Sequence, residues 1–132
     1  MSGETSLDIL LKSMQPVLHP GVYVFATVDS SFDTQGLSPR MVFEEAEGKT
    51  LILLQETAIS HGIDHEFPSR MITLNVHSSL DAIGFIAAIA RKLTEIGMGV
   101  NPVAAFHHDH LFVPADRADE AMAALLSLSE AS

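Results

Sequence analysis

A short polar segment, His77-Ser78-Ser79, carries residue types that could hold a small charged ligand. We call these three residues the elbow, because a predicted strand ends there and a predicted helix begins. Ser78-Ser79-Leu80-Asp81 matches a capping box, with Ser78 accepting from the backbone and Asp81 at the positive end of the helix. Amides at a helix N-terminus lack intrahelical acceptors and favour an anion such as a carboxylate. The pattern therefore predicts an anion-binding site, although a capped helix without a ligand explains it about equally well.

A second polar segment, His107-His108-Asp109-His110, has residue types that bind zinc or nickel. In the expected topology His110 lies near His77 at the same end of the sheet, so these groups could share one edge. Adjacent side chains in a tight hairpin diverge, however, and Asp109 is a natural turn residue. We therefore predict no cofactor and no functional metal, with His107, His108 and His110 as candidates for loose binding. A third interpretation is that the histidines titrate near neutral pH and tune ligand binding.

No segment carries an obvious catalytic signature. Ser60-His61 with Asp64 and His65 offers a hydroxyl, a base and an acid, but sequence neighbours rarely form a catalytic triad. Neither a nucleophile elbow nor an oxyanion motif accompanies them, and the sequence has no phosphate-binding glycine loop or dinucleotide fingerprint. The sequence therefore favours a non-catalytic protein.

The elements that must position these residues are clearest in the second half of the chain. Residues 71–77 alternate as in a strand, with Leu74 toward the core and Met71 and Thr73 toward water or a partner. A helix that ends near residue 96, two strands and a last helix follow. This order is the split β-α-β unit of a ferredoxin-like sandwich, which has a fourth strand. The missing strand must come from the first half of the chain or from another chain.

The first half shows an imperfect version of the same pattern. We expect residues 1–4 to be frayed and residues 6–14 to form a short helix. A strand at 21–28 and a loop at 29–39 follow, and Glu47-Gly48-Lys49 predicts a hairpin turn. A loop thus stands where the first crossover helix of a ferredoxin-like unit belongs.

The length and the patterns together predict the fold class. A chain of 132 residues is one ordinary domain or two very small ones. We predict an α+β protein of two tandem ferredoxin-like βαββα modules, with antiparallel sheets and helices on one face. The predicted domains are residues 1–66 and residues 67–132.

Composition limits the partners and the compartment. The formal charge of −10 would repel phosphate backbones and anionic lipid, so neither nucleic acid nor membrane is expected as a partner. The chain has no cysteine, which fits a reducing compartment, and its longest apolar helix is too short and too charged to span a bilayer. We therefore predict a cytoplasmic protein.

Residues 77–106 resemble an ACT domain, the small regulatory module that binds amino acids. Serine-sensing members show a His, an Asn after three intervening residues, a Pro-Gly pair and a Gly-Val-Asn strand start. The counterparts here are His77, Asp81, Ile83-Gly84 and Val100-Asn101. Ile83 stands in place of the usual Pro and Asp81 in place of the Asn, which would change ligand preference, and Gly97-Met98-Gly99 adds residues before the strand.

The whole chain resembles a bacterial family of two-module ACT-like proteins of unassigned function. The stretches that carry this resemblance are Leu11-Lys12-Ser13-Met14-Gln15-Pro16, Glu47-Gly48-Lys49-Thr50-Leu51, Phe67-Pro68-Ser69-Arg70, Val76-His77-Ser78-Ser79-Leu80 and His108-Asp109-His110-Leu111-Phe112-Val113-Pro114. These stretches are spread over nearly the full length of the chain and are typical of the family, but they do not indicate a chemical activity.

The resemblance implies a sensor that binds an amino acid at an interface between two modules. The polar face of the first strand of the second half and the incomplete fold indicate self-association as a homodimer. The elbow amides and the two serine hydroxyls would hold the carboxylate, and Asp81 or the neighbouring module's Asn101 would hold the amino group. The predicted ligand-binding residues are His77, Ser78, Ser79, Leu80, Asp81, Asn101 and Val103. Two alternatives remain open: a metal-dependent enzyme that uses the histidine edge, and a protein-interaction module without a ligand.

Overall fold

The computed structural model describes residues 3–132. In chain order its elements are α1 (Leu7–Ser13), β1 (Gln15–Leu18), β2 (Tyr23–Val28), β3 (Met41–Glu45), β4 (Gly48–Leu54), α2 (Gln55–Ser60), β5 (Glu66–Asn75), α3 (Phe85–Glu95), β6 (Asn101–Ala104), β7 (Asp109–Pro114), a 3₁₀ turn (Ala115–Arg117) and α4 (Ala118–Glu130). The described chain divides into two compact units: a larger unit of residues 3–20 and 70–132, and a smaller unit, Gly21–Ser69.

The larger unit is ferredoxin-like, and its fourth strand comes from the N-terminal segment. Its strand order is β1-β5-β7-β6. β1 pairs antiparallel with β5, from Gln15 opposite Asn75 to Leu18 opposite Ile72. If β5 counts as strand one and β1 as strand four, the order is the 4-1-3-2 of the ferredoxin-like sheet. The missing edge is thus supplied by the first half of the chain itself.

The core of the larger unit lies between this sheet and helices α1, α3 and α4. The apolar residues of α3 recur at helical spacing, so Phe85, Ile89 and Leu93 fall on one buried face. β5 adds Ile72 and Leu74, both fully buried, as the alternation of residues 71–77 predicts. The structure therefore confirms the prediction of which side of this strand faces the helices.

The opposite side of β5 was expected to meet water or a partner, and this expectation is wrong for Met71 and Thr73, which are both buried. The Thr73 hydroxyl oxygen lies 2.7 Å from His19 Nε2 and 2.9 Å from His110 Nδ1. Two imidazoles from the same unit therefore cover this hydroxyl and satisfy it.

The smaller unit repeats the strand order without the first crossover helix. Its order is β3-β4-β2-β5, with Glu66–Ser69 as the part of β5 that belongs to it. With β2 as strand one, this is again 4-1-3-2, so the tandem ferredoxin-like prediction is confirmed. Residues 29–40 form turns and loop, as the sequence predicts, and Leu37 from this loop is buried in the core where a helix would otherwise pack.

The residue ranges of the two compact units differ from those of the predicted domains, 1–66 and 67–132. Residues 3–20 belong to the larger unit because β1 pairs with β5 and because Leu10, Leu11 and Met14 are buried in that unit's core. The domain boundary between residues 66 and 67 stays a prediction. None of the helices within residues 3–132 combines the length and the apolar composition that a bilayer crossing requires. The cytoplasmic location also stays a prediction.

Candidate functional site

A pocket of about 190 Å³ lies within the larger unit, at the point where the chain passes from β5 to α3. Three parts of the unit line it: the loop after β5, the first turn of α3, and the hairpin strands β6 and β7. Its lining residues are Ser78, Ser79, Leu80, Ala82, Gly84, Phe85, Ile86, Ala87, Ala104 and Asp109. The elbow serines therefore do face a cavity.

The loop between strand and helix is longer than the sequence suggested. The capping-box interpretation is wrong, because α3 begins at Phe85 and not beside Ser79. The Ala82 N–H donates to the Ser79 carbonyl at 3.0 Å, and the Asp81 N–H donates to Ser79 Oγ at 3.1 Å. Gly84 then takes a left-handed φ of 89°, a conformation that interrupts a right-handed helix. A helix that started at the elbow would have to pass through this residue.

The elbow amides are not available to a ligand, contrary to the prediction. The Ser78 N–H donates to the Val76 carbonyl at 3.0 Å, and the Ser79 N–H donates to the Glu4 carbonyl at 2.8 Å. The expectation of a frayed N-terminus is therefore wrong for Gly3 and Glu4, while residues 1 and 2 lie outside the described part of the chain. The Ser79 amide, which was predicted to bind the carboxylate of a ligand, is therefore occupied by the carbonyl of Glu4, a residue distant in sequence.

In the described part of the chain, residues 3–132, amides without a hydrogen-bond acceptor lie instead at the start of α3. The N-cap residue Gly84 has no side chain, and no side-chain cap is found for this helix within residues 3–132. The first-turn amides of Phe85, Ile86 and Ala87 have no intrahelical acceptor, and all three residues line the pocket. The anion-favouring end of the helix therefore exists, several residues later than predicted.

Asp109 is the residue of this site that the sequence analysis misread. It begins β7 and does not sit in the hairpin turn, which the Ala105 N–H closes by donating to the His108 carbonyl at 3.1 Å. The residue is only 7% exposed, lines the pocket and accepts a hydrogen bond from Ser78 Oγ at 3.1 Å. No ion pair of Asp109 is found among residues 3–132. Burying a carboxylate that has no cationic partner costs free energy, so this pocket favours the binding of a cationic group.

The other predicted site residues lie outside the pocket or at its rim. Leu80 lines it but is 65% exposed. Asp81 is exposed, and β6 contributes Ala104 to the lining while Asn101 and Val103 lie elsewhere on that strand. The His77 ring stacks edge-on against His107 with ring centroids 5.4 Å apart. Ligand binding by these residues stays a prediction.

The histidines of the β6–β7 hairpin spread out along the sheet. His108 and His110 have ring centroids 6.4 Å apart, with His108 Nδ1 3.4 Å from the Val76 carbonyl oxygen and His110 Nδ1 beside Thr73. Within the described residues, no group of three or more His, Asp or Glu side chains is arranged to hold a metal ion. His108 and His110 are two positions apart and lie on the same side of the strand, but their Nδ1 atoms lie beside different groups, the Val76 carbonyl and the Thr73 hydroxyl.

A second pocket, of about 460 Å³, lies within the smaller unit and includes Phe25, Thr27, Asp64 and Glu66 in its lining. Its two carboxylates are exposed, so water already solvates them. Asp109, in contrast, is nearly buried, and we centre the candidate site on the pocket of the larger unit.

The similarities to known proteins fit this architecture. A family model described as an ACT domain matches residues 2–70, and a second model with the same description matches residues 66–127. A solved protein of unknown function from Vibrio cholerae, described as a possible transport protein, is 43% identical with a TM-score of 0.86, over 97% of this chain and 99% of that one. Curated proteins give no match to the chain.

Two more distant solved structures share the fold alone. A protein from Agrobacterium tumefaciens is 16% identical with a TM-score of 0.74, over 88% of this chain and 89% of that one. A ligand-free regulatory subunit of aspartate kinase from Thermus thermophilus is 9% identical with a TM-score of 0.62, over 86% of this chain and 95% of that one.

Proposed function

Since the chain belongs to the ACT domain family, we propose that it is a non-catalytic regulatory protein that binds a small amino acid in the pocket before α3. One observation carries this proposal: the uncapped start of α3 and the buried Asp109 carboxylate line the same small pocket. An α-amino acid presents a carboxylate and an ammonium group a few ångströms apart. The start of α3 and the Asp109 carboxylate complement these two charges.

The carboxylate of the ligand binds at the first turn of α3. The amides of Phe85, Ile86 and Ala87 supply donors, and the helix dipole adds a positive potential at the same place. This assignment transfers the anion-binding role from the elbow amides to the helix start. Ser79 keeps its backbone bond to Glu4 and shapes the wall.

The ammonium group of the ligand binds to Asp109. An ammonium has three N–H donors, and Asp109 has lone pairs left after it accepts from Ser78. Binding brings a positive charge to a carboxylate that is nearly removed from water, where charge-assisted hydrogen bonds are strong. Asp81, which the sequence also suggested for this role, is exposed, so water competes with the ammonium group for its carboxylate.

The size of the pocket limits the ligand. Pockets for drug-sized molecules measure about 300–1,000 Å³, whereas this one measures about 190 Å³. Ala82, Ala87 and Ala104 supply short apolar walls. The proposed ligand is therefore an amino acid with a small side chain.

A second copy of the chain completes the site in this proposal. β6 is the last strand in the sheet order of the larger unit, and its Ala104 lines the pocket. Leu80 and Ile83, in the loop before α3, are 65% and 86% exposed, which leaves apolar surface beside the pocket for a partner. A neighbouring Asn101 would then reach the ligand, and ligand-dependent dimerisation would carry the signal. Regulatory subunits among the solved structures of this fold support such a role.

The test is a thermal-shift series with the twenty amino acids, followed by blocked analogues of any amino acid that stabilises the protein. Ligand at 100 times its Kd adds about 2.7 kcal/mol to the free energy of unfolding. We expect the N-acetyl analogue and the methyl ester both to lose the effect, because each removes one of the two charges. A flat response to all twenty, or equal stabilisation by both blocked analogues, would contradict the proposal.

A further inference from the structure

The N-terminal residues 3–7, which we call the brace, contact the loop at residues 76–84 near both of its ends. This loop carries Ser78 and Ser79 of the pocket and leads into the start of α3. The brace and the loop are about seventy positions apart in the sequence and belong to the same compact unit.

The first contact is a short backbone pairing. The Glu4 N–H donates to the His77 carbonyl at 2.9 Å, and the Ser79 N–H donates to the Glu4 carbonyl at 2.8 Å. Gly3 makes the close approach possible, with φ of 96° and with a Cβ that would lie 2.6 Å from the Ser79 nitrogen. Any other residue at position 3 would have to push the two segments apart.

The second contact lies at the far end of the loop. A Cβ placed on Gly84 would be 3.5 Å from Leu7 Cδ2, so Leu7 packs beside the N-cap of α3. Between the two contacts, the Glu4 carboxylate accepts from the Thr5 and Ser6 amides at 2.9 and 3.0 Å. This turn fixes the distance between the two points at which the brace holds the loop.

The other bonds at the elbow serines are mostly local. Ser78 N–H to Val76, Asp81 N–H to Ser79 and Ala82 N–H to Ser79 each span two or three residues and cannot position the loop on the sheet. Position is set at Ser78 by Asp109 and at Ser79 by Glu4. Loss of the brace would leave one of these two long-range hydrogen bonds.

We propose that the brace positions the pocket, and that its docking and ligand occupancy are thermodynamically linked. The second part of this inference rests on the proposed function. Because linkage is reciprocal, a ligand that requires the ordered loop must also tighten the brace.

The first experiment needs no ligand. Amide exchange is measured by NMR in the full chain for wild type, Gly3→Ala and the control Gly36→Ala, since Gly36 also has a positive φ but nothing within 4 Å of an added Cβ. We expect Ser79 exchange to rise at least about tenfold in Gly3→Ala only. Met98, whose amide donates to the Leu93 carbonyl at 3.0 Å at the far end of α3, serves as the internal reference. Unchanged Ser79 exchange in a folded Gly3→Ala protein would overturn the proposal; if that variant does not fold, Glu4→Ala replaces it.

The second experiment titrates glycine and L-alanine into the same three proteins by calorimetry. We expect Gly3→Ala to weaken binding at least about tenfold and Gly36→Ala to leave it unchanged. Equal affinities of wild type and Gly3→Ala would overturn the linkage. If wild type binds neither compound nor any other amino acid in the thermal-shift series, the proposed function fails and the Ser79 exchange rates alone decide the role of the brace.

Discussion

The Ser78 hydroxyl donates to the Asp109 carboxylate at 3.1 Å, across 31 positions of sequence, and both residues are more than nine-tenths buried. This pair joins the loop before α3 to the first residue of β7 and places a negative charge on the wall of the pocket.

Asp109→Asn should reduce the stabilisation by an amino acid without lowering the stability of the ligand-free protein. Asparagine keeps an acceptor for Ser78 but removes the charge that an ammonium group requires, so we expect affinity to fall about tenfold or more. Thermal shift and calorimetry measure both effects. Asp81→Asn, at an exposed carboxylate in the same loop, is the matched control, and loss of binding there with retention in Asp109→Asn would reverse the assignment.

Gly84→Ala should weaken both the fold and the ligand site, whereas Gly97→Ala should weaken the fold alone. The two glycines stand at opposite ends of α3 with φ of 89° and 71°. Placing an L-residue in this conformation costs about 1–2 kcal/mol. Denaturant unfolding checks the shared loss, and titration with the stabilising amino acid checks the difference. The same affinity in both variants would show that the start of α3 does not contact the ligand.

Ala104→Val should lower affinity by filling part of the pocket. Ala104 lines the cavity and is exposed to it from β6, so the added methyl groups compete with the ligand for space. Ala105→Val, one position along and outside the lining, serves as the control. Calorimetry should give a Kd several-fold higher for the first variant only; the same Kd for Ala104→Val and wild type would mean that the ligand lies elsewhere.

Leu10→Ala should destabilise the protein far more than its neighbour Ile9→Ala. Leu10 is fully buried in the core of the larger unit, whereas Ile9 is 49% exposed. Truncation of a buried leucine costs about 2–5 kcal/mol, and an exposed isoleucine much less. Urea unfolding of both variants measures the difference. Similar small losses would mean that the N-terminal helix contributes little to this unit.

Ile83→Asp should weaken self-association if a second copy docks beside the pocket. The side chain is 86% exposed, so an aspartate there remains solvated in the monomer and is penalised only when a partner covers it. Sedimentation velocity over a concentration series, with and without the stabilising amino acid, gives the dissociation constant. Ile59→Asp, at a 64% exposed isoleucine on α2, is the control. A monomeric wild-type protein at all concentrations would remove the dimer from the proposal.

Local patterns in the sequence predicted the elements that depend on near neighbours. The alternation of residues 71–77 identified Leu74 as a core residue of β5, and the helical spacing of Ile89 and Leu93 is a local pattern of the same kind on α3. The hairpin from β3 to β4 and the loop in place of a crossover helix followed from turn residues. Each of these features depends on residues within a few positions of one another, and the sequence shows such relationships directly.

What the sequence by itself determined is therefore the order of the helices and of the strands other than β1, the helix-facing core and the ferredoxin-like class. The tertiary structure decided that β1 closes the sheet, that Glu4 takes the Ser79 amide, and that Asp109 is buried against Ser78. Nothing near Gln15, Glu4 or Asp109 in the chain encodes these outcomes. Each one is a pairing of backbone or polar groups from distant segments, which only the packed fold brings within hydrogen-bonding distance.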